Sequence, residues 1–242
     1  MMISMMNEIL LVLFALVTST LTAITGIGGG MMLIAIMPGF LPAAAIVPVH
    51  GAVQLCANSS RALFGWRDLH WQFVLAFIVG GIVGGLLATV VRQEINLEYT
   101  PLLIAAYILY SVWGPRLSLP IPPRGEFVTI GLVQTALSMM VGATGPMGSA
   151  ALLRQGLRRD ALVVSGALMT TFAHLIKVVL FAVLGFAFVN YWEIIVGMSV
   201  AVIAGAFIGT RLRHRIPEAG FSIMLKWLLT LLALRMIYLT MT

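Results

Sequence analysis

Thr25-Gly26-Ile27-Gly28-Gly29-Gly30 interrupts an apolar run that extends from Ile9 to Phe40. A membrane helix would otherwise continue through this stretch unbroken. Glycines this dense lose the most backbone freedom on ordering, and they leave the main chain uncovered by side chains. In hydrocarbon, uncovered backbone is tolerated only where it lines a cavity or is buried in protein. Gly142-Ala143-Thr144-Gly145-Pro146-Met147-Gly148 breaks a second apolar run in the same way. Two broken spans in matching places predict a transporter-like binding site where they meet.

The composition agrees with a membrane location. The 242 residues are 61% hydrophobic and 9% charged, with a mean hydropathy of +1.07, far from a soluble domain. The chain reads as an all-α, polytopic membrane protein. Its net charge of +6 does not imply nucleic acid, because most arginines fall in short connections between apolar runs. A single cysteine, Cys56, excludes an internal disulfide. Met1 to Leu10 lacks the basic region of a cleaved signal peptide, so it reads as the approach to a retained first helix.

Eight apolar segments approach the length needed to cross a bilayer, at about 8–37 (broken), 43–65, 70–91, 98–113, 126–153 (broken), 161–187, 191–210 and 219–240. The longest connection, Gly114 to Gly125, holds Pro115, Pro120, Pro122 and Pro123 and cannot continue a helix. It divides the chain into a first repeat (1–113), a linker (114–125) and a second repeat (126–242). Trp66, Trp71, Trp113, Tyr191 and Trp192 stand at segment ends, as an interfacial belt requires. Simple alternation puts seven arginines (Arg92, Arg154, Arg158, Arg159, Arg211, Arg213 and Arg215) on one side and Arg67, Arg116 and Arg124 on the other. The positive-inside rule then places both termini outside.

The two halves superimpose by a shift of 116 residues. Gly26 falls on Gly142, Gly29 on Gly145, Gly30 on Pro146, Asn58 on His174 and Arg61 on Lys177. A cation on a cation within a nominal span is an unusual coincidence for chance similarity. Parallel and inverted repeats both remain open at this point, because an inverted pair would need each broken segment to be re-entrant.

The helix restarting after each break, near Met31 and near Gly148, has N–H groups without intrahelical partners and the positive end of its dipole. Such termini attract anions. Thr25, Gly28, Gly29 and Gly30 in the first box and Thr144, Gly145 and Met147 in the second are therefore candidate substrate-binding residues, with Ser149 a further hydroxyl donor. All eight acids lie near segment ends, so Arg61 and Lys177 have no obvious acidic partner at depth. A bound anion is one answer to that missing charge. Asn58 and His174, each three residues before its cation, lie on the same helical face and add directional hydrogen bonds. His50 is a weaker candidate, and Lys226 and Arg235 read as snorkelling anchors.

The glycine box at Gly26 to Gly30, its counterpart at Gly142 to Pro146, and the polar segment with Asn58 and Arg61 in about eight spans resemble the sulfite exporter TauE/SafE family. The second box departs from that pattern at Thr144. The resemblance implies an inner (plasma) membrane transporter of sulfite, sulfonates or related sulfur-containing anions, often moved outward. Its partners would be a small anionic substrate and the bilayer, with no cofactor and no metal. Transport would proceed by the halves rocking about the site, with His174 the available proton carrier. A channel or transporter for another anion or neutral solute is the alternative. A remote one is an intramembrane enzyme on a lipid phosphate, but the sequence shows no paired acids, metal cluster or activated nucleophile.

Overall fold

The computed structural model describes residues 5–26, 28–93, 96–115, 123–157, 159–213 and 218–241. Ile27 of the first box and residues 116–122 of the linker lie outside them. Ten α-helices result: α1 (Met5–Thr25), α2 (Gly29–Ile36), α3 (Ala43–Phe64), α4 (Trp71–Gln93), α5 (Thr100–Trp113), α6 (Pro123–Val141), α7 (Pro146–Arg154), α8 (Arg159–Val183), α9 (Trp192–Leu212) and α10 (Glu218–Met241). No strand occurs among the described residues. Each apolar segment of the sequence is helical, and the two expected breaks divide the first from α2 and α6 from α7.

Five helices, α1, α4, α8, α9 and α10, are long and apolar enough to cross a membrane. That is fewer than the eight crossings expected from the sequence, for two physical reasons. α3 has the length but carries His50, Gln54, Asn58 and Arg61 within it. α5 is only 14 residues, which rise about 21 Å at 1.5 Å each. α6 starts at Pro123, inside the stretch assigned to the linker, because proline suits the first helical position.

Both breaks begin with a glycine in the left-handed region, Gly26 at φ 83° and Gly142 at φ 77°. This is the usual way for a helix to end without a Cβ clash. The chain then folds back on itself. A Cβ on Gly29 would lie 2.0 Å from the carbonyl oxygen of Thr18, eleven residues earlier. The seven residues from Thr18 to Thr25 rise about 10 Å, so only a reversal brings Gly29 there. Further along, the ring of Phe40 lies 6.2 Å from that of Phe14. In the second box Thr144 donates its hydroxyl to the carbonyl of Gln134 at 2.9 Å. Each restart comes two residues before the expected position, at Gly29 and Pro146.

Contacts between helices fix their directions. Gly197, Gly205 and Gly209 of α9 meet Val12, Leu16 with Thr20, and Thr20 with Ala23 of α1, so this pair is parallel. α4 and α6 are also parallel, with Phe73 against Phe127, Phe77 against Gly131 and Gly84 against Leu132. α3 and α8 are antiparallel, with Gly51 beside Lys177 and Gly65 beside Val164. The glycines here permit backbone-to-backbone approach, the usual small-residue packing of membrane helices.

The reversals at the breaks change which connections share an end of the bundle. Arg67, Arg154, Arg211 and Arg213 lie at one end, together with the Arg154–Glu126 and Arg213–Asp160 ion pairs. Arg92 lies at the other end with the 38–42 turn, its guanidinium over the ring of Phe181. The alternation read from the sequence, with Arg92 among the seven and Arg67 opposed to them, is thus corrected. Among the described residues the end with Arg67, Arg154, Arg211 and Arg213 remains the more basic, Arg235 lying beside Gly39 at the other. Trp66, Trp71, Trp113 and Trp192 are all exposed.

Two predictions follow from this packing. With Cys56 replaced by alanine, Arg67→Cys and Arg211→Cys should react with a membrane-impermeant maleimide from the same face, and Glu98→Cys from the opposite one. Plain alternation of eight spans would separate the first two. Gly84→Leu, whose Cβ would sit 2.0 Å from the carbonyl oxygen of Leu132, should lower the unfolding temperature of the purified protein, since overpacking costs roughly 1–3 kcal/mol.

Candidate functional site

The two breaks open onto one cavity of about 510 Å³, its mouth included. Its floor is the first box, with Gly26, Gly28, Gly30 and Met31, and the second box contributes Ala143, Thr144, Gly145 and Ser149. The walls come from α3 and α8. His50, Gln54, Asn58 and Arg61 face the cavity from α3, and Gly166, Thr170 and His174 face it from α8. These residues recur at i, i+4, i+8 and i+11, the spacing of one helical face, and the shift of 116 carries the first set onto the second, ending at Lys177. Gln54 and Thr170 did not emerge from the sequence reading. The signal that finds them is this polar stripe in an otherwise apolar helix.

Of the eleven residues singled out in the sequence, Gly28, Gly30, Asn58, Arg61, Thr144, Gly145 and His174 line the cavity. Thr25, Gly29, Met147 and Lys177 do not. Gly29 is turned toward Thr18 and Thr22 of α1. Thr25 directs its hydroxyl to the carbonyl of Leu21.

Lys177 is wholly buried and its Nζ donates to the carbonyls of Gly142 at 2.6 Å and Ser138 at 3.4 Å. Those carbonyls close α6, so the ammonium sits on the negative end of the helix dipole. Arg213 does the same for α1, donating from Nε to the carbonyl of Ala23 at 2.8 Å while pairing with Asp160. The missing partner of Lys177 is therefore backbone. Lys226 also has a partner, its Nζ lying 3.6 Å over the ring of Trp113.

Arg61 differs from both. It is 4% exposed. Its Nε donates to the carbonyl of Ala57 at 3.1 Å and its NH2 group to Oδ1 of Asn58 at 2.7 Å. The amide of Asn58 is held in turn by the main chain and side chain of Gln54. A guanidinium has five N–H donors, and among the described residues no acidic group answers the remaining ones. Asn58 thus fixes the direction in which the charge faces the cavity.

The two half-helix N-termini also differ. In α2 the first helical bond is Met32 N–H to the carbonyl of Gly28, at 2.9 Å. Among the described residues no acceptor meets the N–H groups of Gly29, Gly30 and Met31. In α7, Gly148 donates to Oε1 of Gln134 at 2.8 Å, and Met147 and Ser149 donate to the carbonyls of Thr144 and Gly145. Gln134 occupies the second terminus as a built-in acceptor. Two histidines complete the wall. His50 Nε2 meets the carbonyl of Gly30 at 2.9 Å, and its ring stands edge-on to His174 at 5.8 Å between centroids. Nδ1 of each is buried without a partner among the described residues.

Among the described residues the cavity therefore holds the guanidinium of Arg61 and the N-terminus of α2, and no carboxylate lines it. The family model described as "Sulfite exporter TauE/SafE" matches residues 11–236. No curated protein and no solved structure matches the chain. The match spans nearly the whole sequence, and the chain belongs to the sulfite exporter TauE/SafE family of membrane transporters.

Proposed function

We propose that the protein is a secondary transporter of a small sulfur-containing oxyanion, sulfite or an organosulfonate, in the cell's inner (plasma) membrane, moved outward as the family's name describes. The observation that carries this reading is the guanidinium of Arg61, buried beside the N-terminus of α2 with Asn58 as its only side-chain acceptor among the described residues. A bound oxyanion supplies the charge that Arg61 lacks and accepts from the N–H groups of Gly29 to Met31. His174 faces it from the opposite wall, where the hydroxyl hydrogens of Thr144 and Thr170 are already given to the carbonyls of Gln134 and Gly166. Lys177 belongs to the frame of this site, since its ammonium is already used by α6.

The halves are inverted repeats in this reading. Each broken segment is re-entrant, α3 and α8 cross as an antiparallel pair, and α1 on α9 is the image of α6 on α4. The bodies that move are then not the two sequence halves. Main-chain contacts bind α1 to α9 and α4 to α6 across the division between halves. Access alternates when the α1–α9 pair moves against the α4–α6 pair, with α3 and α8 between them.

Flux measured in proteoliposomes separates the roles of the cations. Arg61→Gln should fold and lose sulfite flux at least tenfold, since a charge-assisted hydrogen bond is worth about 1.5–3 kcal/mol. Unchanged flux in that variant overturns the site. Lys177→Met should instead lower the unfolding temperature and the yield of folded protein, because it strips the buried end of α6. Gly30→Ala, whose Cβ would make an ordinary 3.4 Å contact with Gln54, should retain its unfolding temperature and weaken anion binding by covering the α2 terminus. Selective saturation by sulfite or methanesulfonate over chloride in the wild type distinguishes this transporter from an anion channel.

A further inference from the structure

We infer that the His50–His174 pair is a proton site inside the anion cavity, and that it sets which charge state of substrate the protein accepts: a monoanion binds alone, and a dianion binds together with one proton. This rests on the anion site proposed above. The pair joins the two halves, His50 on α3 and His174 on α8, ring edge to ring face at 5.8 Å.

The tautomer of His50 follows from its partner. A carbonyl oxygen only accepts, so the nitrogen that meets Gly30, Nε2, carries the hydrogen. Nδ1 of the neutral ring is therefore a bare lone pair, and it is buried with no donor among the described residues to meet it. Nδ1 of His174 is likewise without a partner. Two such nitrogens in one buried cluster call for an explanation, since buried polar atoms are nearly always satisfied. A proton that arrives with the substrate supplies one.

Charge balance decides when it arrives. The charged groups acting on the pair are Lys177 on α8 and Arg61 on α3. No titratable side chain comes from α2, from Gln134–Val141 of α6 or from Pro146–Ser149 of α7. The charged side chains of α4 and α9 that are described sit in their end turns, Arg92, Glu193 and Arg211. Lys177 is engaged by carbonyls, and Arg213, which faces Arg61, is paired with Asp160, which leaves Arg61 to face the substrate. One guanidinium neutralises a monoanion. A dianion leaves one negative charge over, a few ångströms from two imidazoles that can each accept a proton. Without an anion, protonating either ring would add a third positive charge beside Arg61 and Lys177. The anion removes that cost, so proton and dianion bind cooperatively. Sulfite exchanges a proton near neutral pH and can enter in either form.

Sulfate and methanesulfonate test this, being tetrahedral oxyanions of similar size that differ by one charge. Purified full-length protein is titrated with each by calorimetry, at slightly alkaline pH, in two buffers of different ionisation enthalpy. Expected is uptake of about one proton per sulfate and none per methanesulfonate. His50→Gln with His174→Gln should abolish the uptake and lower the ratio of sulfate to methanesulfonate affinity at least tenfold. Sulfate binding without uptake, uptake with both anions, or failure of sulfate to bind where methanesulfonate does overturns the inference on wild-type protein alone. Uptake that persists in the double variant overturns the assignment to these rings. Failure of both anions to bind removes the anion site itself, and this inference with it.

Discussion

A helix that stops inside a lipid slab must dispose of the carbonyls at its end and of the N–H groups where the next helix begins. The structure answers this at both breaks with charge. The carbonyls that close α6 take the ammonium of Lys177, and a carbonyl near the end of α1 takes the guanidinium of Arg213. Each bond places a cation at the negative pole of a half-helix and so stabilises the very ends that hydrocarbon would not tolerate. Lys177 and Arg213 thereby hold the frame, Arg92 lies over the ring of Phe181 away from the cavity, and Arg61 is the cation that lines it.

The same constraint explains the glycines, which serve different ends at different places. Gly26 and Gly142 supply the left-handed turn that starts each reversal. Gly29 lets the returning chain lie against Thr18, where a Cβ would collide with a carbonyl. Gly30 leaves the cavity beside Gln54 open. Glycines of α4, α6 and α9 are interface residues that bring helix backbones into contact across the two halves. Those contacts join pairs of helices that the division of the sequence would separate, which supports the proposal that these pairs, and not the two sequence halves, are the bodies that move.

Much of this was legible in the sequence. The helical segments, the two breaks and seven of the eleven chosen residues appear where the pattern of apolar runs, glycines and buried polar groups put them. The reversal at each break was not legible, because composition reports that a helix stops and not where the chain goes next. Sidedness was misjudged for that reason, and Arg67 and Arg92 exchanged ends. The partner of Lys177 escaped notice because it is main chain, and only side-chain acids can be counted in a sequence. Gln54 and Thr170 are neutral residues one turn before Asn58 and His174, and only the full polar stripe that each shares with His50 or Gly166 marks them in the sequence.

A perfect two-fold relation between inverted halves would produce two equal anion sites, each facing its own half-helix. The side chains break that symmetry at three positions, and they do so in one direction. Gln134, whose counterpart at the shift of 116 is Thr18, reaches the N-terminus of α7 and fills its donor. Lys177, the counterpart of Arg61, turns to the end of α6 instead of to the cavity. Asn58, which orients Arg61, is matched by His174, whose Nδ1 has no partner. In the anion site proposed above, the first half therefore presents fixed positive charge and the N–H groups of α2, and the second presents a ring that can gain a proton, its threonine hydroxyls being held by the carbonyls of Gln134 and Gly166. On the transport reading proposed above, one duplicated scaffold serves as a single site with a permanent pole and a switchable one, which is what a carrier needs if the occupant's charge is to be matched on arrival and released on departure.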